Sequence, residues 1–379
     1  MTSYGVVSTY PPTRCGLATF TDSLVTSLLR PGLDHATIVR VDDAIPVGDP
    51  PPKAGIELGP WLRAGDPASR QAAAEALNAT ETVIIQHEFG IYGGPDGAEV
   101  LELLDLIHRP IIAVFHTVLA SPTDHQRHIV ESIADRADAI VVMTEMAVQQ
   151  LQQRYRVDAD RVVHIPHGAA RPAEAAESRH SLRPVILTWG LIGPGKGIEW
   201  GIEALQYLQD LPLAPIYRVI GQTHPKVLQS QGESYRESLQ ARAEELGVTH
   251  LLELDGRYRE APELAAEIDA ADVVLLPYDS REQATSGVLS EAVAEGKPVV
   301  ATRFPHAIEL LSDGGGILVE QQNSEQIAAA LRAVLTDPVV AKAAAARAKE
   351  RGQGTSWTEV GERYRDLAHL IAPVLGVRA

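Results

Sequence analysis

Short apolar runs alternate with longer amphipathic stretches along the whole chain. Gly5–Ser8, Thr82–Gln86, Ile111–Phe115, Ala139–Met143 and Arg161–Ile165 are apolar on both faces. Runs of that kind predict strands of a parallel sheet covered by helices on either side. Helical spacing fills the intervals at Ala18–Leu29, Gly97–His108 and Gln126–Ala137. From Gly168 to Arg183 the pattern stops, in a stretch rich in Ala and Glu with a proline, and this segment reads as a linker. The alternation then resumes. Strands are predicted at Pro184–Trp189, Ile216–Ile220, Leu251–Leu254, Asp272–Leu276, Pro298–Ala301 and Gly316–Val319. Helices are predicted at Ile198–Leu208, Ser234–Glu245, Ser286–Glu295, Glu325–Thr336, Val339–Lys349 and Trp357–Leu370. Two such series predict two doubly wound α/β domains, at residues 1–172 and 184–355, with 173–183 as the linker and 356–379 as a C-terminal helical segment. Ligands of such sheets bind beyond the carboxyl ends of the strands, which makes the cleft between the domains the expected site.

Composition narrows the classes. Apolar residues are 45% and charged residues 22% of 379, ordinary values for a globular chain. Cys15 is the only cysteine, which excludes an intramolecular disulfide and a cysteine-built zinc cage. The 33 Lys+Arg against 50 Asp+Glu give a net charge of −17, which argues against nucleic acid and anionic lipid as partners. Neither a targeting signal nor a membrane-length apolar run is present, so a cytoplasmic protein without stable membrane insertion is expected.

Candidate chemistry gathers at strand ends. Gly190-Leu-Ile-Gly-Pro-Gly195-Lys196-Gly197 follows a strand and opens a helix. It falls one residue short of a Walker A loop, because Gly197 stands where a magnesium-binding Ser or Thr is needed. A glycine-rich turn, a lysine and a helix start remain, which suit a phosphate without a metal; an ordinary turn with a solvent lysine fits equally. Thr285, Ser286 and Gly287 open a second helix after a strand, where a hydroxyl either binds phosphate or merely caps the helix. In the N-terminal half, Arg14 and Gly16 follow the first strand, His87 and Glu88 the next predicted one, and His116 the one after. Two histidines at adjacent strand ends, one beside a glutamate, favour function over packing. His125 and His128, and His164 and His167, are spaced for shared ligation, yet no third ligand accompanies them, and a catalytic metal is not expected.

Taken together, these residues resemble a GT-B glycosyltransferase of family 4. The resemblance rests on Gly-Pro-Gly-Lys-Gly at 193–197 and on Ser286-Gly-Val-Leu-Ser-Glu-Ala-Val-Ala-Glu-Gly-Lys-Pro-Val-Val-Ala-Thr302. It is sharpened by Ser8-Thr-Tyr-Pro-Pro-x-Arg-Cys-Gly16, Gln86-His-Glu-Phe-Gly90 and Gly221-x-Thr-His-Pro225, which match a bacterial subgroup. The resemblance implies two Rossmann-like domains facing a central cleft. Residues 1–172 would bind the acceptor and 184–355 the nucleotide sugar, and 356–379 would cross back to the first domain. It implies a retaining hexosyltransferase that uses a nucleotide-diphosphate sugar as co-substrate, with neither cofactor nor metal. His116, Lys196 and Gln283 would act at the reacting centre. Gly16, Gly195, Lys196, Gly197, Thr285, Ser286, Gly287, Val288, Leu289 and Glu291 would bind the donor. Arg14, His87 and Glu88 would meet a carbohydrate acceptor.

Two positions depart from the family pattern. Gln283 stands eight residues before Glu291, where the family has the first glutamate of Glu-x7-Glu. Leu191 stands where an arginine is usual, leaving Arg14, Arg257, Arg281 or Arg303 to supply that charge. Glu291 either binds ribose hydroxyls or pairs with an arginine such as Arg303. The donor is expected to be of GDP-mannose or UDP-glucose type. Residues 1–172 hold 13 Lys+Arg and 21 Asp+Glu, a net of −8, and no basic amphipathic helix, which favours a soluble sugar or small-molecule acceptor over a lipid. The alternatives are another GT-B enzyme, such as a sugar-nucleotide epimerase, and a non-catalytic nucleotide-sugar-binding protein.

Overall fold

A computed structural model describes residues 2–41, 48–170, 182–280 and 284–372. It contains two parallel sheets in two compact units. One unit runs to Gly168 and takes in the chain from Trp357 onward; the other is Ala169–Ser356. The first sheet is built from β1 (Ser3–Ser8), β2 (His35–Val41), β3 (Ile56–Leu62), β4 (Thr82–His87), β5 (Ile111–Phe115), β6 (Ala139–Val142) and β7 (Val162–His164). Their order is β3-β2-β1-β4-β5-β6-β7. The second sheet comprises β8 (Val185–Trp189), β9 (Ile216–Ile220), β10 (Leu252–Asp255), β11 (Val273–Leu276), β12 (Val299–Thr302) and β13 (Ile317–Val319), in the order β10-β9-β8-β11-β12-β13.

Each apolar run became a strand because both its faces are covered. In the first sheet Val83, Ile85, Ala113 and Phe115 pack on one side, and Ile84, Ile112 and Val114 on the other. All of them are at most 3% exposed. In both sheets the strand order reverses beside the first strand, between β1 and β4 and between β8 and β11. Crossovers leave toward opposite faces there, which opens a crevice at the carboxyl ends. The loops after β1, β4, β8 and β11 carry most of the residues singled out from the sequence.

Two strands, β2 and β3, were not legible as such. β3 holds Gly59 and Pro60, which broke the pattern; the proline is tolerated because β3 is an edge strand. The helix expected over Gly97–His108 is confined to Val100–Leu104. A 3-10 turn at Pro95–Gly97, with Asp96 at φ 52, precedes it, and three-residue turns through Leu106 and Ile107 follow it. The helix expected over Ile198–Leu208 is α-helical over Ile198–Ala204 and 3-10 over Leu205–Leu208. Of the expected linker, residues 171–181 lie outside the described residues. Among the described residues no helix is long and apolar enough to cross a membrane.

The C-terminal helix Trp357–Ile371 packs against the first helix, Gly16–Leu28. Arg365 donates to the carbonyls of Ser27 and Leu28 at 2.8 and 2.9 Å, which satisfies acceptors left over at a helix end. Gly361 lies so close that a Cβ there would stand 2.4 Å from the Ser27 carbonyl oxygen. We predict that Gly361→Ala lowers unfolding free energy by about 1–3 kcal/mol, as overpacking against backbone does. A denaturant melt checks it, and an unchanged midpoint would mean that the two helices separate at little cost.

Candidate active site

In the Ala169–Ser356 unit, loops converge beyond the carboxyl ends of the strands. The turn after β8 begins at Gly190 and ends at Gly197, which enters the helix Ile198–Ala204 at φ +62. A Cβ on Gly197 would lie 1.8 Å from the Pro277 carbonyl oxygen, so only glycine fits between this turn and the end of β11. The Asp279 N–H donates to the Gly195 carbonyl at 3.0 Å, and Trp200 Nε1 donates to Asp279 at 3.0 Å. These contacts lock the turn onto the segment that follows β11. Between Gly195 and Gly197 stands Lys196, whose Nζ lies 4.3 Å from the centroid of the Tyr278 ring. Tyr278 is stacked on Phe304 at 5.0 Å and is 1% exposed, so the ammonium rests on a fixed aromatic face.

The second loop ends in the helix Gly287–Ala294. Ser286 caps it: its hydroxyl accepts from the Leu289 N–H at 3.2 Å, and its own N–H donates to His306 Nδ1 at 2.9 Å. The capping use of Ser286 is therefore realised. Its amide is occupied, and the first-turn amides of Gly287 and Val288 remain pointed outward from the helix start. A Cβ on Gly190 would come 3.5 Å from Val288 Cγ2, which puts this helix start beside the glycine turn. Thr285 directly precedes the cap and is partly buried. Gln283, Glu282 and Arg281 lie outside the described residues.

Glu291 lies one turn further along. Its Oε2 accepts from Trp189 Nε1 at 3.1 Å. Burial lifts its carboxyl to about 7, with Glu295 adding to the rise and the Trp189 N–H opposing it. The alternative of a salt bridge to Arg303 is not realised, because Arg303 pairs with Glu320 at 3.0 Å. Arg257 is likewise engaged, with Asp255 at 2.7 Å.

In the other unit, β1 leads into a loop that carries exposed Arg14 and Gly16. Cys15 Sγ caps the helix Gly16–Leu28 by accepting from the Ala18 N–H at 3.3 Å. At Gly16 a Cβ would meet nothing within 4 Å, so among the described residues no packing requires glycine there. His116, just past β5, is partly buried, and its Nε2–H donates to Gln86 Oε1 at 2.5 Å. Phe20 stands edge-on to it at 4.7 Å and to His167 at 5.0 Å. Burial, with His167 and His87 nearby, holds the His116 ring at about 3, and hence neutral. Glu88 accepts from Thr117 Oγ1 at 2.6 Å, joining the loops after β4 and β5.

His87 does not join His116. Side chains alternate along β4 and β5, and His87 pairs in register with Phe115 rather than with His116. The two rings therefore lie on opposite faces of the sheet. His87 is 0% exposed, between Phe89 at 4.9 Å and Phe115 at 5.3 Å, and burial holds it at about 3. His125 pairs with Asp96 and His164 with Glu145, and among the described residues no three His, Cys, Asp or Glu converge.

Family models match both units. Residues 15–170 match "Glycosyltransferase Family 4", and residues 183–337 match "Glycosyl transferases group 1". The chain belongs to the family 4 glycosyltransferases. It is 29% identical over 290 residues to a D-inositol 3-phosphate glycosyltransferase of Corynebacterium glutamicum, covering 70% of this chain and 68% of that enzyme. It is 30% identical over 258 residues to the enzyme of the same name from Kineococcus radiotolerans, covering 61% of this chain and 57% of the other. Among solved structures, a glycosyltransferase from Rickettsia africae superposes with a TM-score of 0.77 at 16% identity, over 98% of this chain and 99% of that one. HepE from Anabaena, solved with UDP and glucose, gives 0.76 at 14% identity over 98% and 100%. These likenesses show the GT-B fold.

For this glycosyltransferase, sequence reasoning missed Trp189, Tyr278, Asp279 and His306, which hold Glu291, Lys196, the glycine turn and Ser286. Tyr278 and Asp279 directly follow β11, a position that marks them as strand-end residues; His306 carries no such signal. The raised carboxyl of Glu291 gives a pH-dependent prediction. Folding leaves Glu291 protonated up to about pH 7, whereas the unfolded chain ionises near 4.5. Its contribution therefore becomes less favourable as pH rises between those values and stays so above them, by on the order of 3 kcal/mol. Glu291→Gln imitates the neutral acid and still accepts from Trp189. The stability of this variant relative to the parent should rise between pH 4.5 and 7.5; melts across that range would show a constant difference if Glu291 were ordinary.

Proposed function

We propose that the chain transfers a hexosyl group from a nucleotide-diphosphate sugar, of GDP-mannose or UDP-glucose type, to a hydroxyl of a soluble sugar or small molecule. The transfer retains anomeric configuration and needs no metal. The observation that carries this reading is the convergence of Lys196, the Gly190–Gly197 turn, the start of the helix at Gly287 and Glu291 at the reversal point between β8 and β11. A diphosphate needs a cation and amide donors, and a nucleoside needs an acceptor for ribose hydroxyls. Those three groups stand side by side here. HepE, which shares this fold, was solved with UDP-glucose, and the curated relatives are named for a small polar acceptor, inositol 3-phosphate.

In this reading Lys196 and the amides of Gly287 and Val288 receive the diphosphate, with Gly195 and Gly197 shaping the turn around it. Thr285, Ser286 and Leu289 keep that helix start in place. As the anomeric carbon–oxygen bond breaks, negative charge grows on the departing phosphate, and Lys196 stabilises it more than it stabilises the intact donor. The acceptor hydroxyl attacks from the same face, its oxygen bonds to the anomeric carbon, and its proton passes to the departing phosphate oxygen. Glu291 takes the ribose hydroxyls. His116 and Gln283 approach the donor sugar, Gly16 admits it closely, and Arg14 and Glu88 meet the acceptor. His87, sealed between two phenylalanines, supports Glu88 from within. Domain roles follow: residues 1–172 serve the acceptor and 184–355 the donor.

Lys196→Ala should fold normally and turn over about 30- to 1000-fold more slowly, the effect of losing about 2–4 kcal/mol of charge-assisted stabilisation in the transition state. Parental rates in a folded variant would refute the role. Transfer should also persist in excess EDTA. Loss of transfer, restored by magnesium or manganese, would refute the metal-free diphosphate site. Incubation with donor alone, followed by chromatographic separation of the nucleotide sugars, distinguishes epimerisation, which converts the donor to its epimer without an acceptor, from transfer.

A further inference from the structure

The donor site described above has Lys196 and lacks the arginine usual at Leu191, while Arg257 and Arg303 are paired with Asp255 and Glu320. A third loop adjoins the glycine turn. It follows β9 and comprises Gly221, Gln222, Thr223 and His224. The Ile192 N–H donates to the Gln222 carbonyl at 2.9 Å, and the His224 N–H donates back to the Ile192 carbonyl at 2.8 Å. A Cβ on Gly221 would lie 1.9 Å from the Gly190 carbonyl oxygen, and one on Gly193 would lie 3.8 Å from His224 Cβ. The two loops are thus one backbone unit, and His224 stands beside Gly193 in the turn that carries Lys196.

The ring of His224 has a defined tautomer. Its Nδ1 accepts from the Lys226 N–H at 3.2 Å, so the proton of the neutral ring resides on Nε2, the atom furthest from the backbone. The ring is partly exposed. Burial first, then the charges of Lys226 and Lys196, hold it below the ordinary histidine range, which places the Lys196 ammonium within electrostatic reach.

We propose that His224 is a further donor-binding residue, whose Nε2–H donates to a phosphate oxygen of the nucleotide diphosphate held by Lys196. The inference rests on the donor-site reading above. It explains how a site with Leu191 in place of arginine still presents two side-chain donors to a diphosphate. The first is a lysine resting on Tyr278, and the second a histidine on a loop that two backbone hydrogen bonds join to the same turn.

Two substitutions separate this role from the capping one. His224→Asn keeps a side-chain acceptor for the Lys226 N–H but withdraws the distal donor. His224→Gln carries an N–H to about the position of Nε2. Binding of UDP and of GDP is measured calorimetrically for the parent, both variants and Lys196→Ala, with melts of each. The nucleotide that binds the parent should bind His224→Asn about 10- to 100-fold more weakly at an unchanged melting temperature, the range for one hydrogen bond to a charged group. His224→Gln should recover most of that loss. If His224→Asn binds like the parent while Lys196→Ala does not, the inference fails and the donor site stands. Equal losses in the Asn and Gln variants also overturn it. If neither nucleotide binds the parent, or Lys196→Ala binds like the parent, the donor site itself is refuted and the role of His224 with it.

Discussion

The Ala169–Ser356 unit of this glycosyltransferase depends on backbones that approach closer than any side chain allows. Gly197 lies against the Pro277 carbonyl and Gly221 against that of Gly190, with room for a hydrogen but not for a Cβ. Each contact ties the end of one strand to the loop after another: β8 to β11 in the first case, β9 to β8 in the second. Because β8 and β11 flank the reversal of strand order, the loops fastened there rim the crevice that the topology opens. Lys196 is flanked by these contacts, and its freedom is further reduced by the Tyr278–Phe304 stack beneath it. A lysine on a free loop samples several rotamers; here packing has already removed much of that freedom.

The other unit uses aromatic packing for the same purpose. Phe20, His116, His167 and Trp357 make edge contacts within a few ångströms, and the helix that brings Trp357 closes over the first helix of the chain. Gln86 Oε1 accepts a hydrogen bond from His116, while Thr117 and Glu88 join neighbouring strand ends. The polar groups at this strand edge are held by one another and by rings, and both buried histidines stay neutral. Uncharged imidazoles avoid the penalty of an unpaired buried cation.

The sequence made most of this architecture legible because buried parallel strands read as unbroken apolar runs. Where a strand lay at the sheet edge, as with Ile56–Leu62, Gly59 and Pro60 hid it. Several short helices, beginning at Pro67, Pro225 and Pro305, were missed although each has proline at its first position, a recognised helix start. The glycine turn and the Ser286 loop were legible from residue type and position after a strand. Their partners were not: His306 is 20 residues from Ser286, and Trp189 is 102 from Glu291. The alternation that sends His87 and His116 to opposite faces was available in principle, but it needs the register of β4 against β5, which only the folded sheet supplies.

The central claim is that the loops after β8, β9 and β11 form one diphosphate site. Hydrogen exchange with and without the bound nucleoside diphosphate tests it most directly. The account predicts slowed exchange at the amides of 193–197, 222–224 and 287–288 together. Protection confined to residues 1–168, or at one of these loops without the others, would contradict it.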